Sequence, residues 1–369
     1  MNDPLVSPVV NKDKTITLNL QCDFAQNVEL GGDFRLGRAL VGPRAPESVT
    51  MKHRNGVWTY TTEPVLPGIY RYFFSLDGIR TLDPLNPWKE RARVRSFSLV
   101  KVVGDEVMPW DLLPNIPHGS IVVEKLHSKT LDQIKRCSVY LPPTYHLTRK
   151  KYPVLYLLHG AGGDYNQWIY KGTADNIMDY LLSKGTSQEM IIVMPDGSVI
   201  SDEEYMAIMR LMAQGRGNSE RSNNVISSMV SDKHLDYFVK DLLPFVESKY
   251  RISKKSRTVA GLSMGGAQTF NLITSHPDLF KAAGMFSSGP AEEARDRLSL
   301  VRDQVRKYNP LYVSCGSWDS IIEHTRSIHK ALQTSDVKHL YKETDDGGHF
   351  WSVWQRNLTE FIPQVSRAL

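Results

Sequence analysis

The chain is poor in several features that would announce a function. It holds three cysteines in 369 residues, Cys22, Cys137 and Cys315. Their odd number and wide spacing exclude a disulfide framework and a thiolate metal site. No apolar run approaches the ~20 residues of a membrane-spanning helix, so no membrane partner is expected. The opening residues, MNDPLVSPVV, lack the basic start and apolar stretch of a secretory leader. Two expectations follow: an intracellular protein, or an exported one whose leader has been removed. Lysine and arginine number 45 against 40 aspartate and glutamate, a net charge of +5. These charges are scattered, and the longest basic cluster is Arg149 to Lys151. A nucleic-acid footprint needs a denser basic face, so no nucleic-acid partner is expected. No cluster of His, Asp, Glu or Cys has metal-ligand spacing, and no internal repeat or low-complexity tract is present. The sequence carries no signal for an oligomeric state.

The length exceeds one ordinary compact core, which predicts two domains. Residues 1–104 read as strands. TITLNL places Ile16, Leu18 and Leu20 on one face, NGVWTYTT opens with an Asn-Gly hairpin signal, and GIYRYFFSLDG is a period-2 aromatic run closed by Asp-Gly. Short strands with regular turns predict an all-β sandwich. Residues 105–120 carry three prolines and little periodicity, and read as a linker. Residues 121–369 change pattern. YPVLYLLHGAGG, MIIVMPDG, RTVAGLSMGG and NPLYVSCGSWD are continuous apolar strands running into glycines or turns. DYFVKDLLPFVESKYR between them has helical periodicity. That alternation predicts a mostly parallel sheet with helices on both faces, and sites at the carboxyl ends of its strands.

The stretch VAGLSMGGAQTF, Val259 to Phe270, holds the pattern G-x-S-x-G between a predicted strand and a predicted helix. In that context Ser263 is expected to be a nucleophile on a sharp strand-to-helix turn, and the Met264 N–H an oxyanion donor at the helix start. The competing reading is a glycine-rich turn that only packs strand on helix. A serine nucleophile needs a base and an orienting carboxylate, which in this architecture follow it in the order Asp/Glu, His. His349, in TDDGGHFWSVW, lies on a glycine loop after the last predicted strand. Asp319 directly follows the buried strand LYVSCG, and its competing role is an N-cap for the next helix. Asp345 and Asp346 are expected to shape the His349 loop. A second oxyanion donor is expected from Ala161 N–H, after His159-Gly160, with His159 tying that loop down. Trp168, Trp318 and Trp351 fall beside these loops, where aromatic faces serve either substrate stacking or ordinary packing. Residues 198–224 interrupt the α/β pattern and are weighed as a covering lid against a packed methionine stripe. Trp58, Tyr70 and Tyr72 are weighed as a sugar platform against sandwich core.

YPVLYLLHGAGGDYNQW, VAGLSMGGAQTF, CGSWD and GGHFWSVW together resemble the esterase-D-type α/β-hydrolases of carbohydrate esterase family 1, over about residues 120 to 369. The first hundred residues are similar to the glycogen-binding-type early-set immunoglobulin-like modules that precede many carbohydrate-active enzymes. The resemblance implies a Ser263–Asp319–His349 triad and an oxyanion hole from Ala161 and Met264. It implies a serine carboxylesterase without cofactor or metal, acting on feruloylated or acetylated xylan oligosaccharides. Release of hydroxycinnamates such as ferulate is the leading expectation, and acetylxylan esterase activity the nearest alternative. Siderophore esterase, S-formylglutathione hydrolase, acyltransferase and a non-catalytic carbohydrate-binding protein rank below. Family habit implies export, secreted or periplasmic, with a cytoplasmic location still open.

Overall fold

The computed structural model describes residues 4–33, 48–90, 96–201, 203–207, 230–289, 294–345 and 347–369. They divide into two compact units, Met1–Met108 with Phe350–Ser352, and Pro109–His349 with Val353–Leu369. The chain passes between them at Met108–Pro109, inside the segment read as the linker, and residues 103–119 form neither strand nor helix. Most of the segment weighed as a lid, residues 208–224, lies outside the described residues.

The described part of the first unit holds nine strands, β1 (Val9–Val10), β2 (Ile16–Gln21), β3 (Val28–Gly32), β4 (Ser48–Thr50), β5 (Lys52–Arg54), β6 (Val57–Thr61), β7 (Gly68–Leu76), β8 (Ile79–Thr81) and β9 (Ser98–Val102). One antiparallel sheet runs β1-β2-β6-β5 and the other β4-β3-β7-β8, with β9 on β7. Alternate residues of β2 are buried, and Ile16 and Leu18 share one core with Val28, Leu30 and Phe74 of the other sheet. Both dipeptide turn signals act as hairpins. Asn55 and Gly56 have φ of 50° and 75°, and Asp77 and Gly78 have 47° and 86°. Positive φ at both central residues gives a twist that matches the flanking strands. Trp58, Tyr70 and Tyr72 belong to this core. Trp58 Nε1–H donates to Cys22 O, and the Tyr72 hydroxyl donates to the buried Asp83. The period-2 aromatics therefore face the opposite sheet, and none of the three offers an exposed sugar platform.

The second unit carries a sheet of eight described strands, β10 (Ser120–Ser128), β11 (Gln133–Leu141), β12 (Tyr152–Leu158), β13 (Ile191–Pro195), β14 (Ile252–Leu262), β15 (Ala282–Phe286), β16 (Leu311–Gly316) and β17 (Leu340–Thr344). Their order is β10-β11-β13-β12-β14-β15-β16-β17. The β10-β11-β13 edge is antiparallel and the strands from β13 to β17 are parallel. Every residue of β13, β15 and β16 is buried, as continuous apolar runs predict for strands covered on both faces. Helices occupy Ala174–Ser183, Leu243–Lys249, Met264–Ser275, Ile322–Thr334 and Trp351–Ala368 among the described connections. From β12 the chain moves to β13 on one side, and from β14 to β15 on the other. The order reverses between β12 and β14, which opens a crevice at their carboxyl ends. The loops leaving those two strands begin at His159 and Ser263.

Candidate active site

The chemistry of this crevice starts from the backbone of residue 263. Ser263 has φ 54° and ψ −115°, a region that costs a non-glycine residue ~1–3 kcal/mol. Its surroundings hold it there. Ser263 N–H donates to Phe286 O at 2.9 Å, and Gly266, Ala267 and Gly289 donate their N–H groups to Ser263 O. The turn is tight enough to exclude side chains on either flank. A Cβ on Gly261 would lie 2.4 Å from the Gly265 carbonyl carbon, and one on Gly265 would lie 2.7 Å from His159 O. The pattern G-x-S-x-G is thus a packing requirement as well as a turn signal. Met264 opens the helix Met264–Ser275, and its N–H, the first of the helix, has no intrahelical acceptor and can face an anion.

Ser263 Oγ lies 3.1 Å from His349 Nε2, and His349 Nδ1 lies 3.0 Å from both oxygens of Asp319. The three residues come from the ends of β14, β16 and β17, whose parallel register brings their carboxyl ends side by side. Backbone bonds lace the acid loop to the base loop, from Ser317 N–H to Thr344 O at 2.9 Å and from Trp318 N–H to Gly347 O at 2.8 Å. The Asp319 side chain is fully buried, whereas that of His349 is 31% exposed and reachable by substrate. Burial by itself would raise the Asp319 carboxyl. Hydrogen bonding and charge from His349, with the Ile321 N–H at 2.9 Å, overcome it and hold the group below its ordinary value. Asp319 does not cap the following helix, whose N-cap residue is Ile321. Asp345 is exposed, and Asp346 lies outside the described residues.

Two further residues support the base and were not singled out from the sequence. The Trp354 ring stands edge-on to His349, centroids 4.9 Å apart, and its Nε1–H donates to Ser287 Oγ at 3.0 Å. Ser287 is buried at the end of β15, between the strands that lead to Ser263 and Asp319. Trp354 was legible as a member of GGHFWSVW. Ser287 carried the weaker signal of a polar residue at the end of an apolar strand.

The loop after β12 brings Gly160 against the nucleophile, since a Cβ there would stand 3.3 Å from Ser263 Cβ. Ala161, next along, is exposed. The three tryptophans separate. Trp318 is 38% exposed. Trp168 is 1% exposed, its Nε1–H donates to Leu158 O at 3.0 Å, and its ring meets Phe286 edge-on. Trp351 is 2% exposed. Trp168 and Trp351 are placed as packing residues with no face toward a substrate, because each starts a helix that turns it inward. A buried apolar group, Val199, Ile200 and Met264, with Leu131 and Tyr205 packed against it, includes the residue next to Ser263.

Comparison with known proteins gives this geometry a family. An endo-1,4-beta-xylanase/feruloyl esterase of Xylanibacter ruminicola is 28% identical over 327 residues, 86% of this chain and 41% of that protein. Esterase Rv1288 of Mycobacterium tuberculosis is 32% identical over 164 residues, 43% of this chain and 30% of that protein. The chain thus spans less than half the length of these relatives. Among solved structures, a ferulic acid esterase is 25% identical with a TM-score of 0.56, covering 69% of this chain and 100% of that one. The ferric enterobactin esterase of Salmonella typhimurium is 15% identical with a TM-score of 0.67, covering 98% of this chain and 96% of that one. At that identity the likeness is one of fold, which is the α/β-hydrolase fold preceded by an all-β unit. The model of the Esterase family matches residues 128–365, more than half of the sequence, and the chain belongs to that family.

Proposed function

We propose that the protein is a serine carboxylesterase that hydrolyses hydroxycinnamoyl esters, feruloyl esters above all, on arabinoxylan or its oligosaccharides. The observation that carries the reaction class is the chain Ser263 Oγ, His349 Nε2, His349 Nδ1, Asp319, with contacts of 3.1 and 3.0 Å on a strained elbow. In this reading His349 Nε2 accepts the Ser263 proton as Oγ attacks the ester carbonyl. The oxyanion is held by the N–H groups of Ala161 and Met264. As the intermediate collapses His349 gives its proton to the leaving sugar oxygen, which departs as the free hydroxyl, and water cleaves the acyl-enzyme by the same steps. Asp319 stays ionised, holding the ring with Nδ1–H toward itself and stabilising the imidazolium. The acyl preference is supported by the xylanase/feruloyl esterase relative, matched over 86% of this chain. It is also supported by the apolar group beside Ser263, which suits a flat aromatic acid better than acetate. Trp318, half-exposed beside the acid, is the aromatic we assign to the substrate rim. A polymer-derived substrate fits an enzyme acting outside the cytoplasm.

The test is acid release from oligosaccharides that carry both feruloyl and acetyl groups, compared between wild type and Ser263→Ala. Ferulate release that disappears in the variant is the expected result. Acetate alone would move the protein to the acetylxylan esterases. Neither acid, from a protein whose Ser263 reacts with a fluorophosphonate, would point to another ester, such as a siderophore lactone.

A further inference from the structure

We infer that His159 is a positioning residue that aims the Ala161 N–H at the substrate carbonyl oxygen, and that a buried polar clamp on residues 196–198 holds His159 for this task. The inference rests on the esterase reading above, with Ala161 as an oxyanion donor.

His159 directly follows β12 and is 1% exposed. Its ring bridges two loops. Nε2 lies 2.9 Å from Gly197 N, and Nδ1 lies 2.8 Å from Gly160 O. A backbone N–H can only donate, so Nε2 must present a lone pair to Gly197. The ring proton is then on Nδ1, where it is donated to the Gly160 carbonyl. The consequence passes through one peptide plane. In a trans peptide the C=O and the following N–H point in opposite directions. Gly160 C=O, held by the His159 ring and also accepting the Gly163 N–H at 3.1 Å, therefore turns the Ala161 N–H away from that ring. The peptide so oriented adjoins Gly160, whose Cβ, if it had one, would stand 3.3 Å from Ser263 Cβ.

Residues 196–198 are themselves fixed by buried polar groups. Gln268, fully buried on the nucleophile helix, donates Nε2–H to Gly197 O at 3.0 Å. Lys135 of β11, 2% exposed, donates to Ser198 O at 2.7 Å and stands 3.0 Å from Asp196. Asp196 N–H donates to Arg136 O, and Asp196 Oδ1 accepts the Ser198 N–H. Both backbone polar groups of Gly197 are thus held, its C=O by Gln268 and its N–H by His159. Buried donors and acceptors satisfied in this way form a rigid unit. It joins β11, the nucleophile helix and the oxyanion loop.

The test compares hydrolysis of 4-nitrophenyl acetate with that of its thionoester, whose developing sulfur anion gains little from an N–H donor. Both carry the same acyl group, so the ratio of the two losses does not depend on the acyl group the enzyme prefers. His159→Leu should lower kcat on the oxygen ester by about 10- to 100-fold with KM nearly unchanged, and on the thionoester by less than about threefold. His159→Gln, whose amide again offers one donor and one acceptor, should recover most of the loss. Gln268→Met should show the same selectivity in weaker form, and it supplies the test if His159→Leu does not fold. Equal losses on the two esters, or a change confined to KM, would overturn the positioning role while leaving the esterase reading intact. A folded wild type inactive on both esters, whose Ser263 also fails to react with a fluorophosphonate, would overturn both.

Discussion

The two units bury their strands differently, and the difference decides where chemistry can sit. In the first, strands such as β2 bury alternate residues, and the polar face of each strand remains at the surface. In the second, β13, β15 and β16 bury every residue. A strand covered on both faces has no surface along its length. Polar groups emerge where it ends: Asp319 follows β16, and Ser263 and His349 follow the carboxyl ends of β14 and β17 in the same sheet. The aromatics show the same contrast. Trp58, Tyr70 and Tyr72 point inward because a two-sheet unit of about a hundred residues has few other groups with which to fill its core.

The contrast can be tested from its strongest consequence downward. Ser263→Ala should cost about 10⁶-fold in kcat. The thermal unfolding midpoint should stay within a few degrees, because only one hydroxyl is lost. Asp319→Asn keeps the shape but offers the wrong hydrogen-bonding partner to His349 Nδ1, and kcat should fall about 10⁴-fold. Because the Asp319 carboxyl is held below its ordinary value, acid-side loss of activity in the wild type should not track protonation of a carboxylate.

Core deletions compare the units directly. Leu158 and Leu18 are both at 0% exposure. Leu158→Ala and Leu18→Ala should each cost about 2–5 kcal/mol in denaturant titrations. Only the first, which directly precedes His159 and the proposed oxyanion loop, should also lower kcat at 25 °C. A comparable fall in kcat for Leu18→Ala would break the division of labour.

His234 gives a smaller, pH-dependent effect confined to the second unit. Its ring is wholly buried, neither nitrogen has a hydrogen-bond partner, and burial pushes its pKa down to about 3. The unfolded chain binds a proton at the ordinary histidine value of about 6.5, and the folded chain does not until about 3. Stability therefore falls as pH drops from about 6.5 towards 3, with about 2–3 kcal/mol lost by pH 4.5. Urea midpoints of wild type and His234→Leu at pH 7 and pH 4.5 check this, and the variant should show a flatter acid side. The smallest effect is expected from Tyr72→Phe, which leaves Asp83 and Asn86 without a shared partner. It should cost about 1–2 kcal/mol. Affinity for xylan oligosaccharides should not change, since the ring faces the core.

Local signals were legible wherever local chemistry dictates the outcome. The Asn55-Gly56 and Asp77-Gly78 turns follow from which residues accept positive φ. The nucleophile helix ends at Ser275, two residues before Pro277, as the restriction on a residue preceding proline predicts. Ser263 stood out because its glycines are required by close approach. The sequence left Trp168 and Trp351 open between stacking and packing, because proximity along the chain to a candidate loop does not tell which way a helix turns its first residues. Ser287 was missed because its contacts come from residues 28 and 67 positions away, Cys315 and Trp354.

Periodicity and turn chemistry are properties of neighbouring residues, so they settle the all-β and α/β halves, the strand ends that can hold a site, and the candidate nucleophile. Strand order is not such a property. Only the parallel register of β14, β16 and β17 brings together Ser263, Asp319 and His349, which are separated by 30 to 86 positions along the chain. Only the pairing of β12 with β13 and β14 brings Gly160, Gly197 and Ser263 into one crevice. Distances across a sheet depend on hydrogen bonding between remote strands, and that pairing is chosen by the whole core at once.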